Sequence, residues 1–284
     1  MTGSPADERA DLEARLRRIG GQRDADIDLA EAALLLAALD RPGLPLERYR
    51  DHVGLLQFDT ARFGATASAA RSLETRIETL RDVFVEQYGY QSDRLTYDDL
   101  QNANLMRVID RRKGLPVALG ILYIAAARHQ GWSIAGLNFP GHFLLSLEAG
   151  GRRAIIDPFG TGETLESAAL RKRLKAFAGP DAELRPAHYA AAGNRTILLR
   201  LQNNIKGRLL QNGRVQQALE VLATMSTIAP REASLWHEAG ALHARLGNLR
   251  AAAQSLEHFL DLGAGPENLH EAATLLQQVK SRLN

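Results

Sequence analysis

Three observations predict an α+β core, built of helices and an antiparallel sheet, followed by an all-α repeat segment. Residues 28–88 and 117–130 carry apolar runs at helical spacing. The short apolar runs His142–Glu148 and Ala154–Phe159 flank Ala149-Gly150-Gly151-Arg152-Arg153 and read as a hairpin. From about residue 195 the sequence repeats with a 34-residue period. These divide the chain into a loosely ordered segment 1–27, an α+β domain 28–194 and a repeat domain 195–284.

Within 1–27, Leu12, Leu16 and Ile19 suggest one amphipathic stretch. The first firm helix starts at Asp28, where Asp28 and Glu31 form a capping-box-like pair before an Ala/Leu run that ends at Pro42-Gly43-Leu44-Pro45. Helical patterns return over 46–57 and 66–88, the second with Leu73, Ile77, Leu80, Val83 and Phe84 on one stripe, until Tyr88-Gly89-Tyr90-Gln91 breaks it. Pro116 suits the first turn of a helix, and Val117–Gln130 is apolar nearly all round, which predicts a buried helix. A strand at about 133–139, the hairpin, and a helix Leu165–Phe177 capped by Thr164 complete the core.

The hairpin has a chemical consequence. A turn centred between Ala149 and Gly150 sets His142 directly opposite Asp157, close enough for the carboxylate to hold the imidazole in one tautomer. A nucleophile in the first turn of the 117–130 helix would feel the positive end of the helix dipole. Val117 and Ala118 stand there instead, and the chain has no cysteine.

Several motifs together resemble the SirB-type proteins of bacteria: Leu29–Ala37, Asn102-Ala103-Asn104-Leu105, Arg111–Leu119, Asn138–Leu144 and Ile156-Asp157-Pro158-Phe159. That family combines a transglutaminase-like, papain-related middle region with C-terminal tetratricopeptide repeats. The resemblance covers most of 29–160. It implies a transglutaminase-like core in which active relatives take a cysteine from the helix and a histidine and an aspartate from the two strands. His142 and Asp157 carry over, whereas the cysteine position falls at or next to Ala118. SirB-type proteins commonly lack that cysteine.

The repeats can be checked by spacing. Gly213 and Gly247 are 34 apart, as are Ala218 and Ala252, and Leu222 and Leu256, while Pro230 answers Pro266 with a two-residue slip. Trp236, Gly240 and His243 fill the opening positions of the second copy, so the pattern is tetratricopeptide, with Glu267–Leu283 as a capping helix. Such arrays bind peptides along the face built from their first helices, which points to a protein or peptide partner and to Arg200, Asn203, His237 and Arg245 as groove residues. Two copies are few for independent stability, so the array reads equally as a strut packed on the core.

Composition narrows the rest. Of 284 residues, 35 are basic and 33 acidic, a balance that gives no general case for nucleic acid. The dense run Arg171-Lys172-Arg173-Leu174-Lys175 reads as a solvated helix face. Gly160-Thr161-Gly162-Glu163-Thr164 lacks the lysine and hydroxyl of a phosphate loop and reads as a turn. His237 and His243 lie on different helix faces, and with no Cys-x-x-Cys or His-Glu-x-x-His pattern no metal or cofactor is implied. No apolar run approaches the ~20 residues of a membrane span and the N-terminus lacks a signal-type core, which implies a cytoplasmic protein.

Two functions remain. One is a non-catalytic regulatory or interaction module that keeps the cleft around Ala118, His142 and Asp157. The other is a hydrolase or acyl-transfer enzyme in which His142 activates water or a substrate hydroxyl, with the cleft-lining Asn102 and Asn104 or backbone amides at the helix start stabilising an oxyanion.

Overall fold

The computed structural model describes residues 4–65, 72–160, 162–263 and 266–283. The chain forms two compact units, Met1–Leu12 with Arg23–Leu201 and Glu13–Gln22 with Gln202–Asn284.

The first unit holds the mixed core. Helix α2 (Leu29–Ala38) starts where Asp28 accepts from the Glu31 N–H, and nine of its ten residues are buried. Helix α3 (Glu47–Ala65) runs longer than its sequence pattern. Positions 66–71 of the next expected helix lie outside the described residues; α4 (Leu73–Arg81), capped by Ser72, continues into a π-helical turn Asp82–Gln87 and ends at Gly89, φ +67°. Helix α5 (Leu105–Arg111) is capped by Asn104. Strands β1 (Gln91–Ser92) and β2 (Lys113–Gly114) form a two-stranded parallel pair.

Helix α6 (Pro116–His129) has proline in its first turn and eleven buried residues of fourteen. It packs against α2, α3 and α5, and against the edge of an antiparallel sheet. That sheet is a meander of β3 (Ser133–Gly136), β4 (Leu145–Ala149), β5 (Arg152–Asp157) and β6 (Glu163–Thr164). Helix α7 (Ser167–Ala178) covers it, burying Leu170 and Leu174 against Leu137, Phe139, Leu144 and Ile155. Its start differs from the sequence expectation. Thr164 lies in β6, and Glu166 at the cap position makes no side-chain capping bond.

The second unit is helical: α9 (Val215–Ile228), α10 (Ala233–Arg245), α11 (Leu249–Asp261) and α12 (Pro266–Ser281), with the later part of α8 (Asn194–Gln211). The 34-residue period is visible as structure. Gly213 and Gly247 both take left-handed φ (+70° and +76°) between paired helices, and Ala218, Leu222, Ala252 and Leu256 are all fully buried. Gly240 lets α11 approach α10, because a Cβ there would lie 2.6 Å from Leu256 Cγ. Residues expected to be loosely ordered near the N-terminus form helix α1 (Pro5–Gly21), which buries Leu12, Leu16 and Ile19. The division between units falls inside α8, where the sequence suggests residue 195.

Candidate functional site

The hairpin exists, but its register differs from the expected one. Leu145 pairs with Ile156 and Ala149 with Arg152, which leaves Gly150 and Gly151 as a two-residue turn. Both glycines have positive φ (+58° and +73°), the backbone that favours glycine in tight hairpins. His142 therefore lies ahead of β4, in the turn that begins at Pro140, and is not paired across the strands.

The imidazole nevertheless reaches the carboxylate. His142 Nε2 donates to Asp157 Oδ1 at 2.9 Å, and the Phe159 N–H donates to the same oxygen at 2.9 Å. Arg173 Nη2 lies 2.6 Å from Asp157 Oδ2. Asp157 is 1% exposed and has both oxygens engaged. Burial alone would push its carboxyl up, but the His142 hydrogen bond, the Arg173 charge and the Phe159 N–H together hold it below the ordinary carboxylate range. With Nε2–H committed to Asp157, Nδ1 is the lone-pair nitrogen and bonds to no described residue.

Four local features aim His142. Gly141 has φ +70°, and a Cβ there would lie 2.3 Å from Cδ2 of Phe177, so the turn fits only glycine under that ring. Phe143 is wedged between two glycines: a Cβ on Gly120 would meet its Cε1 at 2.4 Å, and one on Gly136 its Cζ at 2.6 Å. Arg200 closes the turn from behind, with its guanidinium 5.5 Å above the Phe143 ring and Nη2 donating to the Phe139 carbonyl at 3.1 Å. The fourth feature is α7, which brings Arg173 to Asp157 and Phe177 to Gly141.

Sequence reading missed Arg173 by treating 171–175 as one basic face. Leu170, Arg173, Leu174 and Phe177 share the 3-4 spacing of a single helix face, whereas Arg171, Lys172 and Lys175 are exposed. The buried leucines were the available signal.

Other expected site residues take structural roles. Ala118, the third residue of α6, is 0% exposed and offers a methyl group. Asn102 is buried, donates to the Thr96 carbonyl at 2.5 Å and accepts from Arg111 at 2.8 Å. Asn104 caps α5 through the Arg107 N–H and donates to the Ala37 carbonyl. Both amides brace the backbone and neither bonds to His142 or Asp157. Tyr123 is buried and stacked on Phe84 at 4.0 Å; burial, then the Asp157 charge, raises its pKa. Aromatic rings stand near the histidine: Phe159 is edge-on to His142 at 6.0 Å and to Tyr97 at 5.8 Å, and Tyr97 and Phe177 are exposed.

The repeat unit has its own concavity, a groove of about 740 Å³ lined by Arg17, Leu219, Thr227, Trp236, His243 and His258 among others. The Trp236 and His258 rings are 4.1 Å apart. None of the four residues expected to line a peptide groove lines this one. Arg200 is spent on Phe139 and Phe143 in the first unit, Asn203 and Arg245 are exposed, and His237 is half-buried 5.1 Å from Phe259. No helix among the described residues is long and apolar enough to cross a membrane.

Comparison with known proteins agrees with this architecture. A family model for the transglutaminase-like superfamily matches residues 54–203, and a tetratricopeptide-repeat model matches residues 205–284. A UPF0162 protein of Vibrio cholerae is 31% identical over 246 residues, which is 84% of this chain and 88% of that protein. Another from Xylella fastidiosa is 26% identical over 249 residues, 87% and 88% of the two chains. Protein SirB1 of Salmonella typhimurium is 26% identical over 191 residues, 67% and 71% of the two. The chain belongs to the transglutaminase-like superfamily as a SirB-type protein with C-terminal tetratricopeptide repeats.

Proposed function

We propose that this protein is a non-catalytic transglutaminase-like module that acts in the bacterial cytoplasm by binding a protein or peptide partner. The observation that carries this reading is Ala118. It occupies the start of α6, where the family likeness places the nucleophile, it has no heteroatom, and it is fully buried. Covalent catalysis needs an activated nucleophile within reach of its base, and with no cysteine in the chain no thiol can take that role. Arg173 supports the same reading, since it joins His142 in engaging Asp157 as part of a salt-bridged brace.

The binding surface favoured is the groove of the repeat unit, where Trp236 supplies an aromatic anchor of the kind that dominates recognition energetics. A second reading rests on one specific observation: the Nδ1 lone pair of His142 is unpaired, its tautomer is fixed, and the side chain is 16% exposed. That nitrogen has the form of a general base for water.

An ester and amide hydrolysis screen of wild type beside His142→Ala separates the two. The expected result is indistinguishable background rates; turnover that disappears in His142→Ala overturns the non-catalytic reading. Once a partner is in hand, Trp236→Ala should weaken binding at least roughly tenfold. Unchanged affinity would remove the repeat groove from the account.

A further inference from the structure

A second histidine lies in a different chemical setting. His52 on α3 lines a pocket of about 360 Å³ with Arg48, Asp51, Leu55, Ile109, Asp110 and Arg112, between α3 and the C-terminal end of α5. Arg112 is the one non-glycine residue with positive φ among the described residues, at +57°. It stands just past the end of α5, where glycine would be the low-strain choice, so the backbone tolerates strain to place an arginine side chain there.

The guanidinium has no carboxylate partner. The two N–H groups of its Nη1 face three acceptors, His52 Nε2 at 2.7 Å, the Tyr90 hydroxyl at 3.0 Å and the Ile109 carbonyl at 2.6 Å, and its carbon lies 5.1 Å and 5.7 Å from the Tyr90 and Tyr88 ring centroids. Nε and Nη2 bond to no described residue. Asp110 supplies no compensation, because Arg41, Arg48 and the Tyr49 hydroxyl already share it. Asp51 is exposed and forms no ion pair with any described residue.

An arginine can only donate, so His52 Nε2 must accept and the proton must sit on Nδ1. His52 is 8% exposed, and its Nδ1–H finds no acceptor among the described residues. Half of a guanidinium fork thus belongs to this pocket, which the apolar side chains of Leu55 and Ile109 also line.

We propose that this pocket binds a small organic monocarboxylate. The two carboxylate oxygens take the free Nε and Nη2 of the Arg112 fork, and the short apolar body lies against Leu55 and Ile109. Asp51 and Asp110 in the wall select against a dianion such as phosphate. The site is separate from His142 and does not depend on whether the protein is catalytic.

The test is an NMR titration of the full chain at neutral pH, following the His52 ring resonances with acetate, butyrate, hexanoate and inorganic phosphate. A saturable shift for the carboxylates is expected, tightening from acetate to butyrate, together with an upward move of the His52 titration midpoint when the site is filled. Arg112→Gly removes the fork while relieving the left-handed backbone, so the fold survives and affinity should drop at least about tenfold. Leu55→Ser, on an exposed side chain, should flatten the chain-length dependence. No saturable shift at tens of millimolar, equal affinity in Arg112→Gly with His142 resonances in place, or saturation by phosphate alone would each overturn the proposal.

Discussion

His142 and His52 are the same residue in opposite electrostatic company, and the contrast shows how a neighbour sets an imidazole's chemistry. A carboxylate holds His142 through Nε2–H, leaving Nδ1 as a lone pair. An arginine holds His52 through its Nε2 lone pair, which forces the other tautomer and penalises any added proton. Burial, then the Arg112 charge, brings the His52 pKa down to about 4. One ring is kept as a base beside an acid and the other as a neutral donor beside a cation.

The largest break in this contrast is Asp157→Ala. It strips His142 of its partner, leaves Arg173 facing a cavity and orphans the Phe159 N–H; removing one side of a buried ion pair costs ~3–5 kcal/mol. Urea unfolding at neutral pH should show a loss of that size, and a change under ~1 kcal/mol would mean that Asp157 is not the brace described.

The His52 pair gives the next largest effect, and its sign follows from the lowered pKa. Between pH 6.5 and about 4 the unfolded chain binds a proton at this histidine and the folded chain does not. Stability is therefore full above pH 6.5 and is lost as pH falls towards 4, by about 3 kcal/mol from this residue. In His52→Gln, unfolding free energies measured across that window should lose most of this slope. Nitrogen-15 shifts at neutral pH sharpen the same point, with His52 expected as the Nδ1–H tautomer and His142 carrying its proton at Nε2.

Gly141→Ala comes third. It adds a Cβ at positive φ against the Phe177 ring, for a loss of about 2 kcal/mol, and Phe177→Ala in the same chain should recover the steric part. Additive losses in the double variant would show that the ring and the turn are not in contact. The smallest effect is Ala118→Cys, a near-isosteric change at a buried position, expected to cost about 1 kcal/mol. Its thiol should react with iodoacetamide only as fast as the protein unfolds; rapid labelling would mean that the cleft opens to the nucleophile position.

Much of this was legible in the sequence, and the failures have physical causes. Pro116 marked the start of α6, the Gly213 and Gly247 spacing marked both helix pairs, and His142 was matched with its carboxylate. The route to that pair was not legible. Turn conformation sets register, and two adjacent left-handed glycines move the hairpin centre to Gly150-Gly151, so a bend at Gly141 delivers His142 in place of cross-strand pairing. Arg200 shows a second limit. A charge on a helix reads as solvent-facing, yet this one is drawn inward by an aromatic face and an unpaired carbonyl, with burial lowering its pKa. Asn102 and Asn104 misled for a related reason: an amide that braces backbone and an amide that lines a cleft look alike as letters.

Gly141 and Phe177 also constrain how this sequence can change over time. The turn has no room for a side chain while the ring is in place, so any enlargement at 141 must wait for a smaller residue at 177. Arg173 lies one helical turn before that ring and holds the carboxylate, so a drift in α7 disturbs two contacts of the histidine's surroundings in a single step. Positions 141, 173 and 177 should therefore be inherited as a block, and a lineage that loses one should show coordinated replacement of the other two.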